Sequence, residues 1–217
     1  MLKCFHNVEQ FKMAGRSTTS TEAESKLWKQ LMRAWNGGMP ACHAELAIVY
    51  TRKYPNDFAG WIALADVLVH FARYEDARKA LRKAQKLAPA KRQSFIYVQW
   101  GHFERERNDL KSAERWYRRA VKCKTTTSTL IFLGAILAKQ GRFSEAKKCH
   151  RQAVVLATDT TEEASYNLGL MFRAERKYKE ALECFDRAIR IDRDYVYAKT
   201  ARKDVKEALK LKKRTIQ

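Results

Sequence analysis

Proline and glycine are scarce in this chain, 3 and 8 of 217 residues. An all-β protein of this length turns about every 8–12 residues and draws on those two residue types to do so, so helix is the leading expectation. Cysteine is sparse and scattered: Cys4, Cys42, Cys123, Cys149 and Cys184 form no C-x-x-C pair and no His/Cys cluster. That pattern excludes the usual zinc and redox motifs and suits a reducing compartment. The five histidines lie apart without metal spacing, so no metal or other cofactor is implied. No apolar run is long enough to cross a bilayer, and Met1-Leu2-Lys3-Cys4-Phe5-His6 is too polar for the apolar core of a signal peptide. A soluble, cytoplasmic protein is expected, with the nucleus an open alternative if the source is a eukaryote. Met1 and Met13 both stand as candidate starts.

Catalytic signals are missing as well. No Gly-rich phosphate loop follows a strand pattern and no Ser or Cys sits in a nucleophile motif. The nearest polar cluster is His102, Glu104 and Glu106. Residues two apart on a helix do not face each other, so this is read as surface or packing. The expectation is a protein that binds rather than an enzyme.

What is present is apolar residues, at 46% of the chain, and positive charge, with 44 Lys and Arg against 24 Asp and Glu and a formal net charge of +20. The first argues against disorder, and the second favours anionic partners through long-range, salt-sensitive attraction. Two large domains do not fit in this length, whereas one domain or a short repeat array does.

A repeat is legible. Ala77, Ala113, Ala146 and Ala181 follow one another at intervals of 36, 33 and 35 residues. Each is followed at +4 by a larger residue and at +7 by another alanine: Leu81 and Ala84, Tyr117 and Ala120, His150 and Ala153, Phe185 and Ala188. That spacing is one face of a helix. Twelve residues before each first alanine stands another small residue, Ala65, Gly101, Gly134 and Gly169, on a second helix. Small residues at both places let two antiparallel helices approach closely, with turns expected at Ala72-Arg73-Tyr74, Arg107-Asn108-Asp109, Gln140-Gly141-Arg142 and Arg176-Lys177-Tyr178. His150 fills the aromatic slot of its unit and is expected to be a packing residue.

This pattern resembles the tetratricopeptide repeat family, most fully in Trp61, Leu64, Ala65, Leu68, Tyr74, Ala77, Leu81, Ala84 and Pro89, and again in Leu168, Gly169, Phe172, Tyr178, Ala181, Phe185 and Ala188, with Ser165 at the usual Trp place. The resemblance implies an all-α helix-turn-helix solenoid of about five repeats. Residues 1–21 are expected to be a flexible leader ending in a helix N-cap and 22–57 a degenerate first repeat, with helices near 22–36 and 41–53 and a turn distorted by Gly37-Gly38-Met39-Pro40. Four repeats follow at 58–93, 94–126, 127–161 and 162–194, and 195–217 is a basic capping helix and tail. In that cap Val196, Ala198, Val205, Ala208 and Leu209 are available to cover the last repeat. The third unit, with Tyr97, Trp100, Phe103, Glu104 and Trp116, resembles the half-a-tetratricopeptide variant of RNA-processing scaffolds. Its Glu104 is expected to be partly buried and hydrogen-bonded within its own repeat or to the next.

Transferred residue by residue, the family's concave groove would carry Ile62, Asp66, Phe95, Val98, His102, Ile131, Ala135, Tyr166, Asn167, Leu170 and Arg173. Its middle is apolar, and a contiguous apolar patch facing water commonly marks an interaction site. Asn167 matches one place of the family's clamp for chaperone C-termini, but Ile131 and Ala135 replace the Lys and Asn expected a repeat earlier, which disfavours that guest. A second surface is the exposed side of the second helices, where Arg78, Lys79, Arg82 and Lys83, then Arg115, Arg118 and Arg119, then Lys147, Lys148 and Arg151 recur with little acid beside them. No aromatic residues clearly interleave with this stripe, so it offers phosphate contact without base reading. The preferred reading is an adaptor that binds an apolar or helical protein segment in its groove, with a basic face for anionic surfaces. The alternative is a nucleic-acid-associated repeat protein.

Overall fold

The computed structural model describes residues 22–156 and 162–214, and these are helical with short turns. The leader, the N-cap expected at Thr21, residues 157–161 and the last three residues lie outside the described part, as do the side chains of residues 22–25, Lys213 and Arg214. The chain divides into two compact units, Met1–Asn108 and Asp109–Gln217. In the first lie α1 (Glu22–Asn36), α2 (Pro40–Lys53), α3 (Phe58–His70), α4 (Tyr74–Leu87), a 3-10 turn (Ala90–Arg92) and α5 (Gln93–Glu106). In the second lie α6 (Leu110–Cys123), α7 (Thr127–Lys139), α8 (Phe143–Leu156), α9 (Glu162–Ala174), α10 (Tyr178–Ile191) and α11 (Val196–Arg214). No strand occurs among the described residues.

Three helices, α3, α6 and α7, start at a residue whose side chain caps them. Asp57 accepts from the Ala59 amide at 2.9 Å, Asp109 from the Ser112 amide at 2.9 Å, and Thr126 and Thr129 form a reciprocal capping box. The hairpin turns obey one rule. Gly38, Ala72, Asn108, Gly141 and Arg176 all have positive φ, between 57° and 78°. After Ala72 the Arg73 amide reaches back to the Leu68 carbonyl at 2.8 Å, and Met39, Arg142 and Lys177 do the same to Ala34, Leu137 and Phe172. This is the left-handed cap that closes a helix by satisfying its last carbonyls. The turn at Gly37-Gly38 is therefore not distorted, contrary to expectation, because Gly38 takes the same conformation at the same register as its four counterparts.

Packing inside each hairpin sets a small residue against a large one. A Cβ on Gly134 would lie 2.7 Å from the His150 ring, and one on Gly169 would lie 2.6 Å from the Phe185 ring. His150 and Phe185 are buried, as are the register-equivalent Leu81 beside Ala65 in the second repeat and Tyr117 in the second unit. In the first repeat the sizes are exchanged: Leu31 stands at the small place and Ala47 at the large one, and the two share a core cluster with Tyr50, Ala63 and Val67. Tyr50 itself falls where the other repeats have Ala84, Ala120, Ala153 and Ala188. Gly60 makes room for it, since a Cβ there would come within 2.5 Å of the Tyr50 ring. The first repeat is thus repacked at nearly constant volume. On α11, Ala198, Ala201 and Val205 are buried, while Val196 is 66% exposed and does not cover the last repeat.

The small-large contact can be tested by rebuilding it. Gly169→Ala and Phe185→Leu should each destabilise, the first by overpacking and the second by a cavity, at about 1–3 kcal/mol. The double variant recreates the Ala65/Leu81 pair, so a double-mutant cycle in urea should show recovery of at least half the summed loss; strict additivity would mean that the two residues do not share one contact.

Acid probes the same core. His43 and His150 are 1% exposed, and burial lowers both imidazoles from 6.5 to about 4. The unfolded chain then binds more protons than the folded one between those values. Stability is full above about pH 6.5 and falls as pH drops toward 4, by up to about 1.4 kcal/mol per pH unit for each histidine. His150→Phe, which copies the Gly169/Phe185 pair, should remove one share of that slope in melts taken from pH 7 to pH 5, and an unchanged slope would place the sensitivity elsewhere.

Candidate protein-binding surfaces

The first helices carry the positions expected to line the groove. In the first unit Ile62 is fully buried, Val98 and His102 are 5% and 4% exposed, and Asp66 and Phe95 are half-buried. In the second unit Ile131 is 4% exposed and belongs to a core cluster with Leu130, Ala153 and Ala164. Ala135, Tyr166, Asn167, Leu170 and Arg173 are half-buried. Ile62, Val98, His102 and Ile131 are therefore core rather than water-facing groove residues. The expectation failed because neighbouring repeats pack close enough to cover the central positions of a first helix.

What remains accessible gathers on α7, α9 and the start of α11, which pack side by side. Tyr166 rests on Phe185 with ring centroids 5.9 Å apart and meets Tyr195 edge-on at 5.4 Å, and Tyr195 meets Tyr197 edge-on at 5.9 Å. Tyr197 is 45% exposed. Burial raises the Tyr166 and Tyr195 phenols above their ordinary value, helped at Tyr195 by the Glu163 carboxylate. Arg173 closes this face with an ion pair to Asp204 at 3.1 Å. Tyr195 and Tyr197 were not among the expected groove residues, since no helix-pair register predicts what the cap contributes.

The second helices behave differently from the uniform stripe that their sequence suggests. Arg118 pairs with Glu114 at 2.8 Å and Glu145 at 3.3 Å, and Arg142 binds the same two carboxylates at 2.7 and 2.6 Å. Burial opposes ionisation of Glu114, but the hydrogen bonds from Arg118 and Arg142 outweigh it and hold the carboxyl below its usual value. Lys147 pairs with Glu175, which Lys177 also reaches at 3.0 Å. Arg78 and Lys79 are matched by Glu75 and Asp76. Arg119 lies over the Trp116 ring at 4.7 Å and Arg151 over Phe172 at 5.8 Å. Arg115 donates to the Ser112 hydroxyl at 2.9 Å. Of the expected stripe, Arg82, Lys83, Lys148 and Arg115 have no ion pair or ring contact with a described residue, and Arg115 alone of these four has the hydroxyl as a partner.

Glu104 is 9% exposed and accepts from Arg107 within its own repeat at 2.8 Å, as its burial requires. His102 and Glu106 do not assemble with it into a metal-binding group, and no cluster of three or more His, Cys, Asp or Glu that could hold an ion occurs among the described residues. No described helix is long and apolar enough to cross a membrane.

Paired helices with a small-large contact, a left-handed turn and a period near 34 residues define a helix-turn-helix repeat of the solenoid class. Residues 59–91 and 125–194 each match a family model described as tetratricopeptide repeat. The TPR repeat-containing protein MJ1428 of Methanocaldococcus jannaschii is 28% identical over 118 residues, which is 54% of this chain and 19% of that relative. Among solved structures, the TPR protein TTC0263 of Thermus thermophilus aligns with a TM-score of 0.63 at 17% identity, covering 84% of this chain and 98% of that one. YrrB, a TPR protein with an unusual peptide-binding site, aligns with a TM-score of 0.55 at 20% identity, covering 80% and 88%. The protein is a tetratricopeptide repeat protein. Residues 94–124 of the third repeat fall outside both matched ranges, so its half-a-tetratricopeptide accent has no support beyond its own residues.

Burial separates the inner-face residues into two classes with different behaviour on substitution. Ile131→Ser should lower stability by about 2–5 kcal/mol because it empties a core site, whereas Leu170→Ser should cost well under half of that. Equal shifts in thermal midpoint would mean that Leu170 is as much core as Ile131.

Proposed function

We propose that the chain is a non-catalytic scaffold for protein partners and that the inner face of the second unit takes an apolar or helical segment. The observation that carries this reading is the half-buried strip of Ala135, Ala138, Tyr166 and Leu170, continued by the partly exposed Tyr197 and edged by Asn167 and Arg173. A fully solvated helix face would be polar there. A segment laid along neighbouring first helices removes this strip from water, while its ends meet the amide and guanidinium groups. In the first unit the corresponding face offers Asp66, Val69 and Phe95, a smaller apolar area beside a carboxylate. The family supports a protein-interaction role, and YrrB, which shares the fold, is described as having a peptide-binding site.

A peptide-library selection on the immobilised chain tests this. It should return apolar or amphipathic helical sequences that bind with a negative heat-capacity change. Tyr166→Ser with Leu170→Ser should weaken them at least about tenfold, because losing roughly 100 Å² of apolar contact at about 25 cal/mol per Å² is ~2.5 kcal/mol. Selected peptides that bind the folded double variant as tightly as the parent would refute the inner-face site.

A further inference from the structure

The positive charge of the second helices is left without counter-charge at more than one place, and in the first unit that place borders a recess. From residue 77 to residue 103 there is no Asp or Glu, while Arg78, Lys79, Arg82, Lys83, Lys86, Lys91 and Arg92 all fall in that stretch. Glu75 and Asp76 neutralise Arg78 and Lys79 at the start of α4. Nothing described neutralises Arg82, Lys83 or Lys86 further along. Arg82 and Lys86, one helical turn apart, line an open recess of about 470 Å³ together with Gln85 and Gln93.

The two amides make this recess a set of donors. The Gln85 Oε1 accepts the Trp100 indole N–H at 2.9 Å, so that side chain has its NH₂ group left to offer. Gln93 is fixed by donating from Nε2 to the Ala88 carbonyl at 3.2 Å. A guanidinium, an ammonium and an oriented amide around one recess match an oxyanion with several acceptor lone pairs. One lysine in the last turn of α4 is what the helix dipole alone would favour. Arg82 and Lys83 lie a turn earlier, and Arg82 and Lys86 repel each other at i,i+4, so the dipole does not account for the group. The second unit supplies the contrast. Its larger recess, about 560 Å³, is lined by Asp109 and Glu114 as well as Lys111, Ser112, Arg115 and Arg118, and carries its own counter-charges.

We propose that Arg82, Gln85 and Lys86 form a binding site for a side-chain oxyanion of an acidic protein segment, a carboxylate or a phosphorylated hydroxyl, on the outer face of the first unit. The proposal rests on the reading that the guests of this scaffold are proteins, and it places a second contact away from the apolar strip. A protein segment is favoured over nucleic acid because only two cations, Arg82 and Lys86, line this recess, beside the amides of Gln85 and Gln93, which suits a single side-chain oxyanion better than a run of phosphates.

The test uses the full chain and three labelled probes at about 150 mM salt: an octapeptide with four Glu residues, the same peptide with one phosphoserine, and an eight-nucleotide uridine RNA. Both peptides should bind, and the amide nitrogen signal of Gln85 and the indole signal of Trp100 should shift on titration. Arg82→Glu with Lys86→Glu should weaken the peptides at least tenfold. Lys122→Glu with Lys148→Glu, an equal change of net charge at exposed sites of the second unit, should weaken them less than threefold. Gln85→Leu keeps the charge and should weaken the phosphopeptide more than the carboxylate peptide. Equal losses in the two reversal variants would overturn the site in favour of general charge attraction, and so would RNA that binds more tightly than either peptide at that salt. Tyr166→Ser with Leu170→Ser must leave these titrations unchanged, so failure at the inner face and failure at this recess are read separately.

Discussion

The contact on which the rest depends is the meeting of a small residue on one helix with a large ring or branched side chain on the next. Where Gly134 faces His150 and Gly169 faces Phe185, the helix backbone itself forms one wall of the contact. That closeness fixes the pairing of the two helices, and through it the register at which the next hairpin can lie against them. It also explains why such short helices persist. Helices of 13 or 14 residues are marginal alone, and here each is held by the apolar face that its neighbour covers.

The turns serve the same contact. A left-handed residue at the end of each first helix reverses the chain in the fewest residues and keeps the last carbonyls bonded. Ala72, Asn108 and Arg176 adopt that conformation without being glycine, at about 1–2 kcal/mol of strain each for a residue with a Cβ, less for Asn. Packing of the hairpin outweighs that cost, which is why the turn keeps its shape across repeats that do not share its residue.

The repeat, its period and the places of Ala77, Ala113, Ala146 and Ala181 were legible in the sequence because one contact recurs at one spacing. The first repeat was read as degenerate because its compensation is not local: the exchange of Leu31 for Ala47, and the room made by Gly60 for Tyr50, join residues that a single-helix pattern keeps apart. Ile62, Val98 and Ile131 were expected to face water because periodicity gives a direction around a helix but not what covers it. The basic stripe was overdrawn for a related reason. Carboxylates that answer Arg118 and Lys147 stand on neighbouring repeats, at Glu145 and Glu175, and local composition does not reveal them. The tyrosine group at Tyr166, Tyr195 and Tyr197 needed the capping helix in place before it existed as a surface.

Gly60 belongs to the second repeat, yet its missing side chain serves the first. The unit that evolution must carry intact at this point is therefore the seam and not the repeat. A duplication or shuffling event that separated Tyr50 from Gly60 would place the ring against Ile96, Thr129 or Ala164, the residues found at the same register elsewhere. The order of these two repeats is written into their sequences, and recombination can lengthen the array elsewhere but not at that joint.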